Sequence, residues 1–275
     1  MASVVAGFSV PHTPYFPVTL PKDPDGLDSR CFARTRQELE AAAPDLIVAF
    51  APDHLSTFFY DNLPTFAIAA ADELGGPNDK TPGVPYRRRS SRASLGKAIH
   101  AHCLSRSFDP SLSQQLDLDH SVTVPLHFLD PDGRLPLLPV FINGIAPPIP
   151  TGERALALGR AVGEALRQSG EDLRIAVVAS GSINHEVAGP RVLPGEVWGA
   201  PDPAWLDHVL ERLREGEIDQ LASEATPEKL ASVGNVAGEL LTVIAMLGAL
   251  GEASVSFLEP QPRLGHAYGV WNARP

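Results

Sequence analysis

The chain has 275 residues, of which 44% are apolar and 20% charged, as in an ordinary folded protein with a sizeable core. Its net charge of −11 argues against a nucleic-acid-binding or anionic-membrane-binding surface. The two cysteines, Cys31 and Cys103, lack metal-type spacing, and the N-terminus has no basic or long apolar segment. We therefore expect a cytoplasmic protein with no membrane span, disulfide framework or zinc ribbon.

Apolar runs and amphipathic segments alternate along the chain. The runs predict strands at 3–10, 46–51, 66–71, 136–142, 174–179 and 253–258. Helical periodicity predicts helices at 29–43, 91–104, 122–129, 153–169, 205–215 and 236–250, the last capped by Asn235. Because there is no internal repeat or linker, we predict one domain, residues 1–275, of the α/β class. Its central sheet should be mostly parallel or mixed, with flanking helices.

Four histidines occur in similar contexts. His12, His54 and His185 each follow a predicted strand within a few residues, and His120 lies in an Asp-Leu-Asp-His loop. The carboxyl ends of parallel strands meet at one edge of a sheet, where ligands bind in open α/β folds. One such histidine is more often a packed loop residue, but four at one edge favour a functional site.

The remaining histidines carry weaker signals. His100, His102 and His208 are predicted to face solvent on amphipathic helices. His127 is ambiguous. His266 lies in a Pro/Gly-rich tail and could reach the pocket, although no spacing supports this.

Glu239 is the only ionisable residue between Val236 and Leu250. It is either a first-turn glutamate stabilised by the helix dipole or a metal ligand. Two imidazoles and one carboxylate form the facial triad of non-haem Fe(II) sites, which leaves coordination positions open. Zinc accepts the same ligands, so the residue types leave the metal open.

Several segments together resemble a known family. They are Pro11-His12-Thr13-Pro14, Phe50-Ala-Pro-Asp-His54 with Phe58-Phe59-Tyr60-Asp61, Asp119-His120, Ser180-Gly181 through His185, and Gly238-Glu239 before an apolar helix. In this order, across nearly the whole chain, they resemble the class III extradiol ring-cleavage dioxygenases. That group contains protocatechuate 4,5-dioxygenase β subunits and 2,3-dihydroxyphenylpropionate 1,2-dioxygenase.

The resemblance implies an enzyme that opens a catecholic ring with O2 in aromatic-compound catabolism. It implies Fe(II) bound by His12, His54 and Glu239, with His120 and His185 as the acid–base pair. His185 is the better candidate for the base and His120 for the acid. Asp53 either orients a neighbouring ligand or caps its loop.

Substrate specificity is expected to depend on the 75–89 loop and the tail from Glu259 to Trp271. Within that loop, Arg87 to Arg89 are more simply a solvated basic run than a site for a substrate carboxylate. The segment from Phe58 to Asp61 is predicted to form pocket wall.

Three alternatives stay open. One is a zinc-dependent relative that opens the ring of dihydroxyphenylalanine. Another is a non-catalytic relative of the same fold that binds a metal or a phosphopeptide. The third is a β-type partner whose pocket needs another subunit. The presence of both His120 and His185 favours the enzyme over the binding module. We expect a homo-oligomer that binds neither nucleic acid nor membrane.

Overall fold

A mixed eight-stranded sheet forms the centre of the computed structural model, which describes residues 2–274. The strands of that range are β1 (Ser3–Val10), β2 (Leu46–Ala51), β3 (Phe66–Ala69), β4 (Glu73–Gly76), β5 (Arg87–Ser90), β6 (Ser111–Ser113), β7 (Leu137–Ile142), β8 (Arg174–Ser180), β9 (Glu186–Val187), β10 (Trp198–Gly199), β11 (Ala253–Gln261) and β12 (His266–Ala273). The order in the large sheet is β11-β12-β1-β8-β2-β7-β3-β6. Strands β4 and β5 pair separately, as do β9 and β10.

The middle of the sheet is parallel. Strands β1, β8, β2 and β7 run in one direction, while β12 and β3 flank them in the opposite direction. All six residues of β2 and all six of β7 are buried, as expected for strands covered on both faces. The carboxyl ends of β1, β2 and β8 therefore lie side by side, and β12 begins at the same edge.

Helices cover both faces of the sheet. They are α1 (Phe16–Thr19), α2 (Leu27–Ala42), α3 (Ala93–Ser105), α4 (His120–Leu129), α5 (Gly152–Arg167), α6 (Pro203–Glu215), α7 (Ile218–Glu224), α8 (Pro227–Val233) and α9 (Leu240–Leu250). Buried side chains of α2 and α4 share one apolar core with one face, and those of α3, α5 and α9 share another core with the opposite face. The α/β prediction with a mixed sheet and flanking helices is confirmed, while the single 1–275 domain stays a prediction.

The C-terminal tail differs most from the expectation. Residues 259–271 are not an irregular tail, because β11 extends to Gln261 and β12 inserts between β11 and β1. Their part in substrate specificity stays a prediction. The prolines and glycine of this segment suggested a tail. Pro260, however, lies on β11 at the edge of the sheet, where a missing N–H is tolerated.

Several local predictions are also wrong. Asn235 does not cap α9: its side chain bonds both backbone polar groups of Val187, and a 3₁₀ turn, Ala237–Glu239, precedes the helix. Phe59 and Tyr60 are exposed rather than pocket wall. The histidines expected to face solvent are partly buried and bonded: His100 to Pro110 O, His102 to Glu164 and His208 to Glu224.

The two cysteines are buried and free. Within residues 2–274, no helix is long and apolar enough to cross a membrane.

Candidate metal centre and acid–base site

The structure brings His12, His54 and Glu239 into direct contact. The Nε2 atom of His12 lies 3.2 Å from Glu239 Oε1, and that of His54 lies 3.6 Å from the same oxygen. His12 follows β1, His54 follows β2, and Glu239 ends the 3₁₀ turn before α9. The convergence predicted from strand ends is therefore present, with a carboxylate from a third element.

Glu239 reaches this edge because Gly181, the residue after β8, has no side chain. A Cβ on Gly181 would lie 2.8 Å from the Glu239 carbonyl oxygen and 2.9 Å from its Cβ, so the two backbones could not approach as closely. Ser182 Oγ donates to Glu239 Oε2 at 2.7 Å. One carboxylate oxygen is thus held by a hydroxyl, while the other faces the two imidazoles.

Hydrogen bonds at the far side of each ring orient both imidazoles. Ser180 Oγ donates to the Ser121 carbonyl oxygen, so it can accept from His12 Nδ1–H at 2.9 Å. Asp119 Oδ2 lies 3.1 Å from His54 Nδ1 and also accepts from the His54 backbone N–H. In neutral rings both protons then lie on Nδ1, which leaves the Nε2 lone pairs facing Glu239.

The charges of these groups are strongly coupled. Burial opposes ionisation of Glu239, but His12 and His54 outweigh it and hold its pKa well below the usual range. Burial lowers the pKa of His12. It acts in the same direction on His54, but hydrogen bonds to Asp119 and Glu239 outweigh it and raise that pKa.

Asp119, absent from the predicted site, serves two elements at once. It is 1% exposed and caps α4 by accepting from Ser121 N–H, while its second oxygen holds His54. Burial opposes its ionisation, yet bonds from His54 and Ser121 keep its pKa well below the usual range. Its position before a helix was the only sequence signal for this role. Asp53 is the loop cap, since it accepts from the N–H groups of Ser56, Thr57 and Phe58.

His120, the first residue of α4, lies beside the same centre. Its ring centroid is 4.2 Å from that of His54 and 5.6 Å from that of His12. Ligand nitrogens of His12, His54 and His120 lie within 4.8 Å of one another. Asp79, which the sequence did not single out, bonds His120 Nδ1. Burial opposes ionisation of Asp79, but bonds from His120 and Thr81 lower its pKa to about 2.

His185 and His266 form a second imidazole pair. Their ring centroids are 4.8 Å apart, and both side chains are buried. Burial lowers the pKa of His185 and holds that of His266 well below its usual value. His266 has no sequence signal, because the prolines and glycine before β12 are typical of a loop.

The donor set suits a divalent cation. Two buried anionic carboxylates, Glu239 and Asp119, converge on the half-buried His54, and the rings of His12 and His120 lie beside it. Such negative charge away from water needs a compensating cation. The Nε2 atoms of His12 and His54 and a Glu239 oxygen are already grouped on one side as potential ligands.

Comparison with known proteins decides the family. Residues 6–271 match the family described as the catalytic LigB subunit of aromatic ring-opening dioxygenase. The chain belongs to this family. The class III extradiol resemblance inferred from the sequence motifs is thereby confirmed, and so is the prediction of an enzyme. Family membership counts against the non-catalytic binding module.

Relatives of this LigB-type chain are named as dioxygenases of dihydroxyphenylpropionate and of gallate. The chain is 29% identical over 289 residues to 2,3-dihydroxyphenylpropionate/2,3-dihydroxicinnamic acid 1,2-dioxygenase of Paraburkholderia xenovorans, covering 90% of each protein. It is 30% identical over 184 residues to gallate dioxygenase of Pseudomonas putida, which is 66% of this chain. That match spans only half the length of gallate dioxygenase.

A solved structure shares the fold. The crystal structure of an uncharacterized protein from Escherichia coli K12 superposes with a TM-score of 0.58, at 15% identity. The alignment covers 98% of this chain and 100% of that one. At this identity the likeness concerns the fold alone.

Proposed function

We propose that this LigB-type protein is an Fe(II)-dependent extradiol dioxygenase that cleaves the ring of a catecholic substrate with O2. The observation that carries the proposal is the approach of one buried Glu239 oxygen to the Nε2 atoms of His12 and His54. Two imidazoles and a carboxylate are the ligand set of non-haem Fe(II) oxygenases. Family membership supports the same reading.

His12, His54 and Glu239 are the proposed metal ligands. Ser180 and Asp119 fix the rings of the two histidines, and Ser182 fixes the carboxylate. When bound, Fe(II) would supply open positions for both catechol oxygens and for dioxygen, and a route for electrons between them. The protein residues would then orient the ring and move its protons.

His185 is proposed to take a proton from the substrate hydroxyl. Burial lowers its pKa, which favours the neutral ring near pH 7. A neutral, positioned imidazole is a competent general base at that pH.

His120 is proposed to return a proton to oxygen as the ring opens. Asp79 bonds its Nδ1, so Nε2 is the nitrogen proposed to donate that proton. The division of labour between His120 and His185 is part of the proposal.

The substrate class comes from the relatives. The dihydroxyphenylpropionate enzyme aligns with 90% of this chain, so a 2,3-dihydroxylated aromatic acid or a related diphenol is the proposed substrate. Gallate is a further candidate on the shorter match. A homo-oligomeric state, a cytoplasmic location and action in aromatic catabolism accompany this proposal.

Anaerobic reconstitution followed by a substrate screen tests the proposal. Protein loaded with Fe(II) should convert at least one diphenol, in a panel including 2,3-dihydroxyphenylpropionate and gallate, to a coloured ring-opened product. His54→Ala should lose metal binding, and His185→Phe should keep iron yet lose most turnover. Full activity of His185→Phe would remove the proposed base.

Zinc is the second candidate for the metal. The grouping of His12, His54 and His120 nitrogens within 4.8 Å also suits a zinc site with three imidazoles. Activity with Zn(II) but none with Fe(II) in the same screen would favour the zinc-dependent alternative.

A further inference from the structure

The turn that joins β11 to β12, residues 262–265, is bonded to the segment that carries His185. The Gly265 carbonyl oxygen accepts from the backbone N–H of Ile183 at 2.8 Å and from that of Asn184 at 3.3 Å. The preceding carbonyl, that of Leu264, lies 2.7 Å from His185 Nδ1. The carbonyls of Leu264 and Gly265 therefore bond residues 183–185, the last of which is the proposed base.

The bond to Leu264 fixes the tautomer of His185. The Gly199 backbone also bonds the ring, but the 2.7 Å contact is with Leu264. Because a carbonyl oxygen only accepts hydrogen bonds, we assign the hydrogen of the neutral ring to Nδ1. In the neutral ring, Nε2 is then the unprotonated nitrogen, the form that a general base requires. The opposite tautomer would break this bond and leave the lone pair facing the carbonyl oxygen.

Gly265 permits this approach. Its φ is +65°, a conformation that residues with a Cβ rarely adopt. An added Cβ would lie 2.4 Å from Asn184 Oδ1 and 2.9 Å from the Asn184 carbonyl carbon. Any larger residue would therefore strain the turn and push it away from Asn184, next to His185.

His266 follows the turn and packs on the same ring. It is 2% exposed, and its ring centroid lies 4.8 Å from that of His185 and 6.3 Å from that of Phe16. This packing restricts rotation of His185 about its side-chain bonds.

We propose that the β11–β12 turn is a positioning device of the catalytic site, in which Gly265 and the Leu264 carbonyl fix the tautomer and orientation of His185. The inference rests on the proposed role of His185 as base. It assigns to the C-terminal hairpin a task at the site, in addition to completing the sheet.

The groups around His185 determine how the device acts on the pKa. Burial has the largest effect and lowers the pKa of His185. Four groups raise it: Glu239 on the 3₁₀ turn, the Leu264 carbonyl, the backbone at Gly199 and Glu186 in β9. The neighbouring His266 is held neutral by burial. Losing the bond to Leu264 removes one stabilising contact of the protonated ring, so the pKa of His185 should fall.

The variant Gly265→Ala tests the device, with Gly216→Ala as its control. Gly216 also has a positive φ, +75°, but an added Cβ there meets nothing within 4 Å. Both variants therefore carry similar backbone strain, and only one disturbs Asn184. Nitrogen NMR of histidine-labelled, metal-free protein reports the tautomer, with the His185 signals assigned by their absence from His185→Gln.

The unmodified protein and Gly216→Ala should show His185 protonated at Nδ1, and Gly265→Ala should show a mixture of tautomers. The Nε2-protonated form in the unmodified protein would overturn the proposal, even if Gly265→Ala failed to fold. An unchanged tautomer in folded Gly265→Ala would also overturn it.

Kinetics of the Fe(II)-loaded protein separate this inference from the proposed function. In Gly265→Ala, kcat should fall about tenfold, which is a fraction of the rate that a general base contributes. The acidic limb of the pH profile of kcat/KM should move to lower pH, because the pKa of His185 falls. If Gly265→Ala and Gly216→Ala had the same kcat and the same acidic limb in the pH profile of kcat/KM, the positioning role would be overturned. If no diphenol were turned over by any variant, the proposed function would fail, and the tautomer measurement would still decide the structural claim.

Discussion

Asp119 links the helix α4 to the candidate metal centre. One of its oxygens caps the helix through Ser121 N–H, and the other holds His54 at both the backbone N–H and Nδ1. A carboxylate behind a ligating histidine fixes the ring and increases its basicity as a ligand. Asp119 thus positions two histidines. It orients His54 directly, and it caps the helix that begins with His120.

Replacing Asp119 with asparagine should weaken metal binding. Asn keeps the size of the side chain but removes the charge that faces His54 Nδ1. Affinity for Fe(II) or Zn(II) should fall about 10- to 100-fold, as measured by metal titration under anaerobic conditions.

Asp53→Asn is the matched control for that variant. Asp53 is in the same loop as His54, but its oxygens accept from Ser56, Thr57 and Phe58 N–H groups rather than from the imidazole. Metal affinity should be unchanged in this variant. Equal losses in both variants would mean that Asp119 acts by general destabilisation of the loop.

The helices α5 and α9 determine where Glu239 lies. They pack closely through small residues: a Cβ on Gly159 would lie 2.0 Å from the Ala245 carbonyl oxygen, and one on Gly163 would lie 2.4 Å from that of Ala249. Backbone contact at these points holds α9 against α5, and Glu239 directly precedes α9. The apolar character of α9 therefore reflects burial between α5 and the sheet rather than a membrane or a cofactor.

The variant Gly159→Ala should destabilise the fold, although alanine is the better helix former by about 1 kcal/mol. The added methyl meets backbone that cannot move without shifting α9, so unfolding free energy should fall by about 1–3 kcal/mol. Ala157→Ser, at an exposed position of the same helix, should change it by less than about 0.5 kcal/mol. Chemical denaturation measures both. Stabilisation by Gly159→Ala would show that the helices are less tightly packed than described.

Some parts of the fold and of the candidate site can be predicted from sequence, and others depend on long-range packing. Strands β1, β2 and β8 are continuous apolar runs, so their ends, and the histidines after them, were predictable. The contact of Glu239 with His12 joins residues 227 positions apart and depends on how α9 packs. Composition shows only that Glu239 is the one ionisable residue between Val236 and Leu250, which leaves two explanations open.

The C-terminal hairpin was not predictable for a different reason. Strand β12 is antiparallel, lies beside β1 and begins at the ligand edge with His266. Its preceding segment contains prolines and a glycine that are typical of loops. Only the pairing of β12 with β1 and β11 makes a strand of it, and that pairing is a long-range contact.

This edge of the sheet is proposed to perform oxygen-dependent ring opening. The most direct test is turnover of a diphenol by the Fe(II)-loaded protein under isotopically labelled dioxygen, with mass spectrometry of the product. The ring-opened product should contain both atoms of the labelled dioxygen, and a His54→Ala variant should form no such product. An iron-loaded protein that opens no diphenol ring, or whose product takes its oxygen from water alone, would contradict this proposal.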